Sequence, residues 1–302
     1  MALSVAVTGS TGLVGGALAL ALGSAGHRVV RVVRGATAPA GDSAVRWDPD
    51  FGTIEASRLD GVDAVVHLSG ESIARGRWTE AKKQRIRSSR VRSTIFLADT
   101  LARLPRPPRA LVAASATGYY GSRGDQLLRE ESVSGTGFLA DVCREWEAAT
   151  APAAHRGVRV VHLRTGVVLT PAGGALRTLL WPFRLGLGGP VGPGTQWMSW
   201  ISIDDLCGAI LHALTTESLA GPVNAVAPAP VTNREFATTL GRVLGRPAFL
   251  RLPAFAVHLL LGEMADELLL ASTRAVPARL EATGFAFGDP ALEGALRRLL
   301  SR

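Results

Sequence analysis

The hydrophobic pattern of this chain changes period again and again. Leu3–Val7 is a short continuous apolar run, and after a glycine-rich turn Leu13–Leu22 is apolar at helical spacing. The first reads as a buried strand and the second as a helix packed on it. Arg28–Val33 and Ala44–Trp47 follow as strands two and three, with Asp48-Pro49 as a turn. Asp63–Leu68 is continuously apolar after its acid, as a strand covered on both faces should be. Thr79 to about Leu104 carries Ile86, Ile95, Leu97 and Leu101 on one side of a long helix that the prolines from Pro105 end. Arg109–Ser115 is a fifth strand, Gly137–His155 a helix with Phe138, Val142 and Trp146 at spacing four, and Val158–Arg164 a sixth strand.

Strands alternating with helices predict an α/β fold, a Rossmann-type doubly wound parallel sheet with ligands at the strands' carboxyl ends. Beyond Arg164 the chain becomes rich in glycine and proline, with Trp181, Trp197 and Trp200 in or near that stretch. Ile201–Ile203 reads as a short strand, and Leu206–Thr215 as a helix capped by Asp204 or Asp205. Val223–Val226 reads as a further strand, and Thr232–Leu244 as a helix capped by Thr232 or Asn233. Pro253–Leu270 and Ala291–Leu300 complete the helices. The expected organisation is a dinucleotide-binding domain over 1–170, rejoined by 201–226. A smaller C-terminal α+β lobe is expected from 171–200 and 227–302, with a substrate cleft between the two.

Composition narrows the function classes. A chain of 302 residues with 47% hydrophobic content can bury a sizeable core. Net charge is +8, but lysine occurs only at 82 and 83 and the arginines are dispersed, so no nucleic-acid-binding block is expected. Cys143 and Cys207 are too few for a disulfide framework. The six histidines form no metal-ligand spacing with cysteine or each other. His67, inside a strand, reads as a satisfied buried residue. Without a leader or an uninterrupted apolar span, the expected setting is a soluble, reducing cytoplasm, with no membrane partner.

The candidate chemistry begins at Thr8-Gly9-Ser10-Thr11-Gly12-Leu13-Val14-Gly15. Gly9 permits a tight turn, Gly12 lets backbone approach a pyrophosphate, and Gly15 lets helix and strand pack closely. The N–H groups at the helix start suit phosphate oxygens. An NAD site places an acid at the end of the second strand, yet no acid occurs before Asp42; Val33 is followed instead by Arg34, with Arg31 upstream. A guanidinium there suits a 2′-phosphate, so NADP(H) is the expected cofactor. Ser69-Gly70 is small enough to admit the cofactor at the fourth strand's end.

From Ser115 and Tyr119-Tyr120-Gly121 onward the residues resemble a known family. The chain is similar to the extended short-chain dehydrogenase/reductase superfamily, and within it to the atypical NAD-dependent epimerase/dehydratase-like subgroup with a small conserved C-terminal domain. The matching blocks include Thr8–Gly15, Val65–Glu71, Arg77–Thr79, Ser88–Val91, Arg164–Leu169, Gly194–Ile201 and Gly262–Met264. The resemblance implies that the pyrophosphate rests on Gly9–Gly15 and the adenosine end on Val33 and Arg34. It also implies that Leu68 and Ser69 line the cofactor and that Arg90 stands where typical members carry asparagine. Arg85 and Arg164 are further polar candidates for the nicotinamide side. The long helices at 79–104 and 137–155 are ones that often pair in superfamily dimers, which leaves a homodimer open without deciding the oligomeric state.

Typical members move a proton with a tyrosine whose pKa is lowered by a lysine, spaced Tyr-x-x-x-Lys. Here the only tyrosines are 119 and 120, the only lysines are 82 and 83, and no such pair exists. Anchored on Trp146-Glu147, the family's helix puts Leu139 at the tyrosine position and Cys143 at the lysine position. Ser115, Tyr119, Tyr120 and Cys143 are the remaining candidates for chemistry, and the tryptophans could stack on a sugar or nucleobase. Two functions are open: an NADP-dependent oxidoreductase or epimerase of a small molecule with a rearranged acid/base set, or a sensor or partner-binding module that holds NADPH without turnover.

Overall fold

A computed structural model describes residues 2–35 and 44–301; Asp42 lies outside them. The first half of the chain supplies six strands of the main sheet, which alternate with helices in the order β1 Ser4–Thr8, α1 Leu13–Ser24, β2 Arg28–Arg34, β3 Ala44–Asp48, β4 Thr53–Ile54, β5 Ala64–His67, α2 Glu80–Arg103, β6 Ala110–Ala116, α3 Phe138–Ala148 and α4 Ala151–His155. These strands join Arg159–Thr165 and Gly221–Ala225 in one sheet, in the order Gly221–Ala225, Arg159–Thr165, β6, β5, β1, β2, β3, β4. Every pairing is parallel except β3 with β4. The chain winds from β1 out to β3 and then returns to the other side at β5. The point of reversal therefore lies between β1 and β5, where a doubly wound sheet opens a crevice at its carboxyl edge.

Apolar layers cover both faces. On one, Leu18 and Leu22 of α1 meet Val5, Val7 and Val66, together with Leu206 and Ile210 of α6 (Ile203–Thr215). On the other, Leu97 and Leu101 of α2 pack with Ala153, Trp47 and Leu111. This two-sided burial is why the central strands β1 and β5 are mostly valine and alanine, whereas β2 alternates valine pairs with arginines. A third cluster joins α5 (Gly174–Arg184) and α7 (Asn233–Leu244) with the helix Leu292–Leu300, around Phe183, Trp200, Phe236 and Leu296.

Three boundaries differ from the sequence pattern. The expected helix Gly137–His155 breaks at Ala149 and Thr150, and α4 restarts with Pro152 in its first turn, where a missing N–H costs nothing. The expected helix Pro253–Leu270 is interrupted at Gly262, whose φ of 60° ends α8 (Ala254–Leu261); π-helical turns then run over Asp266–Leu270. Ser202, rather than Asp204 or Asp205, caps α6: its hydroxyl accepts from the backbone N–H of Asp205. The Asp205 carboxylate is drawn instead to the N–H groups of Gly288 and Asp289, long-range partners invisible to a local rule. For α7 the expectation of Thr232 holds, as a full capping box with Glu235.

Candidate active site

The glycine turn lies at the reversal point. Gly9 adopts φ 67°, and a Cβ there would sit 2.8 Å from the carbonyl oxygen of Leu68, so the turn lies directly against the end of β5. A Cβ at Gly15 would stand 2.2 Å from the Gly9 oxygen. The Gly12 N–H closes the turn on that same oxygen at 2.9 Å. α1 starts without a side-chain cap and without an acid in its first turn, leaving its N-terminal N–H groups to a ligand. Ser10 is 1% exposed, and its hydroxyl has no hydrogen-bond partner among the described residues. Thr11 is exposed. Val14 packs inward, and Leu13 lies against Gly173 at the start of α5.

A buried polar chain fixes the turn to the helices. Thr8 Oγ1 lies 2.7 Å from His67 Nδ1 and accepts from the Leu68 N–H at 3.1 Å. His67 Nε2 meets Thr94 Oγ1 of α2 at 3.0 Å, and the Trp146 indole of α3 donates to the same oxygen. His67 is therefore the satisfied core residue expected from the sequence, and burial, with Arg34 nearby, lowers its pKa to about 4.

The other cofactor candidates flank the turn. Val33 is buried at the end of β2, and the exposed Arg34 guanidinium is 3.7 Å from Asp50. Ser69 is buried, while Gly70 lies beneath the Arg90 guanidinium, 3.3 Å from where its Cβ would be. Arg90 donates to the carbonyls of Glu71 and Ile86 and rests on the Trp146 ring. Arg85 is exposed on α2, one of the cations that, after Lys82, hold the Glu71 carboxyl below its usual range.

The catalytic candidates meet around one carboxylate. Ser115 Oγ, at the end of β6, donates to Glu147 Oε1 at 2.7 Å. Arg164 clasps both oxygens of Glu147, at 2.8 and 2.9 Å. Its remaining nitrogen donates to the Tyr120 hydroxyl at 3.1 Å and to the Glu130 carbonyl. Tyr120 in turn donates to Asn224 Oδ1 at 2.7 Å. Arg164 is thus no open polar group: it is 3% exposed, braced between β6, α3 and the neighbouring strand. Burial pushes the Tyr120 phenol up to about 12.

On α3, Leu139 and Cys143 stand one turn apart beneath Gly118. Cys143 is 3% exposed, and burial, then the Glu147 charge, push its thiol up to about 12. The Cys143 thiol is thus held protonated and packed against Gly118, away from solvent. Tyr119 alone of the four catalytic candidates remains half-exposed, with its ring 3.4 Å from the Arg164 guanidinium carbon.

Trp200 is wholly buried, its indole donating to the Ala229 carbonyl, which removes it as a stacking surface for a ligand. Trp197 donates to Asp125 beneath the Arg274 guanidinium, and Trp181 is exposed on α5.

Two carboxylates were missed as site residues in the sequence. Glu147 lies four residues after Cys143 and eight after Leu139, on the buried side of α3, and a lone acid at that spacing is the readable signal. Glu267 gave none: it reaches from the π-helical turns to accept from the Phe138 and Leu139 N–H groups at the start of α3, and burial raises its pKa.

A doubly wound sheet with a glycine turn at its reversal point defines a dinucleotide-fold protein, and the comparisons agree. The chain belongs to the NAD dependent epimerase/dehydratase family, whose model matches residues 5–225; a second match, to a domain of unknown function (DUF1731), covers 252–299. It is 48% identical to the epimerase family protein Mb2239 of Mycobacterium bovis over 94% of this chain and 93% of that one. It is 39% identical to the human epimerase family protein SDR39U1, over 98% of this chain and 99% of the human one. The crystal structure of the human protein (isoform 2) with NADPH superposes with a TM-score of 0.90 at 37% identity, covering 99% of this chain and all of that one.

Proposed function

We propose that this chain binds NADP(H) at the turn Gly9–Gly15, with the adenosine end on Val33 and Arg34 and with Leu68, Ser69, Gly70 and Arg90 along the far wall. The observation that carries this is the pairing of an uncapped helix start with the buried, unpartnered Ser10 hydroxyl, both beside glycines where no Cβ fits. The NADPH of the human relative supports it. Backbone N–H groups of α1 and Ser10 Oγ would bind the pyrophosphate, and Arg34 would exchange its exposed Asp50 contact for the 2′-phosphate. When bound, NADP(H) supplies or accepts a hydride. The substrate cleft lies between the sheet's carboxyl edge and the lobe built from 171–200 and 227–302.

The chemistry we assign is that of an oxidoreductase or epimerase of a small molecule, without the Tyr-x-x-x-Lys relay and with Tyr119 as proton donor. Tyr120 and Cys143 are buried, and Ser115 already donates to Glu147, so it meets a substrate only as an acceptor. Tyr119 is half-exposed and its ring is oriented by Arg164. A second reading, an NADPH-binding sensor or partner-binding module without turnover, is favoured by that same engagement of Ser115. Cofactor fluorescence titration and an NADPH-oxidation assay over a panel of carbonyls and nucleotide sugars separate the two. Turnover that Tyr119→Phe abolishes while NADPH affinity stays unchanged supports the enzyme. Tight NADPH binding with no turnover on any substrate sinks it and leaves the second reading.

A further inference from the structure

α8 is apolar on every side apart from His258, yet only Val257 of its eight residues is buried. A helix that is hydrophobic all round and still lies on the surface has no partner within its own fold. Phe255, Leu259 and Leu260 project from it, and Trp181, Leu187 and Phe249 stand on the segments beside it, each between 59% and 75% exposed. Backbone hydrogen bonds tie the segment after α5 to the one that leads into α8. The Leu250 N–H donates to the Gly188 carbonyl, Leu252 N–H to Pro190, and Gly192 N–H back to Leu252, while Pro253 leads directly into α8. The three aromatic rings alone expose roughly 400 Å², already in the range of the largest patch on a monomeric protein.

Most of the charge around this patch has one sign. No aspartate or glutamate occurs between Glu147 and Asp204, or between Glu235 and Glu263. Arg184, Arg246 and Arg251 are exposed there, and Arg246 and Arg251 are held by single hydrogen bonds to the carbonyls of Arg184 and Gly192. Of the carboxylates that follow α8, Glu263 pairs with Lys83 and Asp266 lies 3.4 Å from His258 of α8 itself. A second copy of the chain related by a two-fold axis would bring the same arginines to the seam from both sides, with few acids to pair them. Tryptophan, phenylalanine and leucine ringed by unpaired arginines match instead an apolar layer beneath anionic headgroups.

The geometry points to a peripheral membrane-docking face: α8 and the segments 181–187 and 246–252 dock this protein on an anionic lipid surface, with α8 lying in the headgroup layer. The test is flotation of the full chain with phosphatidylcholine vesicles prepared with and without phosphatidylglycerol. The chain is expected to float with the anionic vesicles and to stay behind with the neutral ones, and raised salt should release it. Phe255→Ser/Leu259→Ser should lower partitioning by on the order of a hundredfold, and Arg184→Ala by about fivefold. Both alter exposed side chains, so melting temperature and NADPH affinity should match the parent and report that the fold is intact. Failure of the parent chain to float with anionic vesicles would overturn the proposal. So would sedimentation showing a dimer that Phe255→Ser/Leu259→Ser dissolves, which assigns the patch to a second copy. Binding to a soluble acidic polypeptide with no vesicle binding would assign it to protein.

Discussion

Ser115 donates its hydroxyl to Glu147 at 2.7 Å, and Arg164 holds the same carboxylate from the other side. That contact decides what the cleft can do, because it turns the serine from a donor to substrate into an acceptor. It also makes Glu147 a structural anchor between β6, α3 and the strand Arg159–Thr165. The Arg164 and Glu147 side chains are only 4% and 12% exposed, so solvent screens the pair little. Glu147→Ala leaves a buried guanidinium without its counter-charge and should cost about 3–5 kcal/mol, read as a drop in the urea midpoint. Replacing both partners, Glu147→Leu with Arg164→Met, should recover most of that loss. A Glu147→Ala midpoint equal to the parent's would refute the anchoring role.

The glycine turn yields a paired test. Gly15→Ala drives a Cβ into the Gly9 backbone and should abolish NADPH binding while lowering stability. Gly16→Ala, one residue on, meets nothing closer than the Ser10 oxygen at 3.9 Å. It should raise stability by about 0.5–1 kcal/mol through helix propensity and leave NADPH affinity intact. Equal behaviour of the two variants would contradict the close-approach argument.

For cofactor choice, Arg34→Ala should weaken NADPH by about 1–3 kcal/mol, the scale of a charged hydrogen bond, and leave NADH nearly unchanged. Asp50→Asn removes the competing carboxylate and should tighten NADPH slightly. Equal losses for both cofactors in Arg34→Ala would place the 2′-phosphate elsewhere.

His67 predicts a pH dependence. Its folded pKa of about 4 lies below the value near 6.5 of an unfolded histidine, so between these the unfolded chain binds more protons. Its contribution is complete above pH ~6.5 and is lost as pH falls toward 4, on the order of 3 kcal/mol in all. Urea midpoints at pH 7 and pH 4.5 should differ more for the parent than for His67→Gln, and identical pH slopes would count against this sign.

Much of the fold was legible because covered strands and amphipathic helices have different periods. Leu3–Val7, Arg28–Val33 and Arg109–Ser115 fall within a residue of β1, β2 and β6 for that reason. The break at Gly262 was harder to read, since apolar residues resume beyond it at Met264 and Leu268–Leu270 and a lone glycine within a helical pattern does not require an end.

The sequence by itself determined the doubly wound sheet, the glycine turn with Arg34 beyond it, and the want of a Tyr-x-x-x-Lys pair. Each is a local matter of period, spacing or residue count. Only the tertiary structure decided which polar groups remain free. Arg164, Tyr120 and Cys143 read as open chemistry along the chain, but residues up to 104 positions apart meet in the interior and consume their hydrogen bonds or remove their water. Buried polar groups must be satisfied by whatever the fold brings near, and among the described residues nothing near the glycine turn claims the Ser10 hydroxyl or caps the helix start with a side chain.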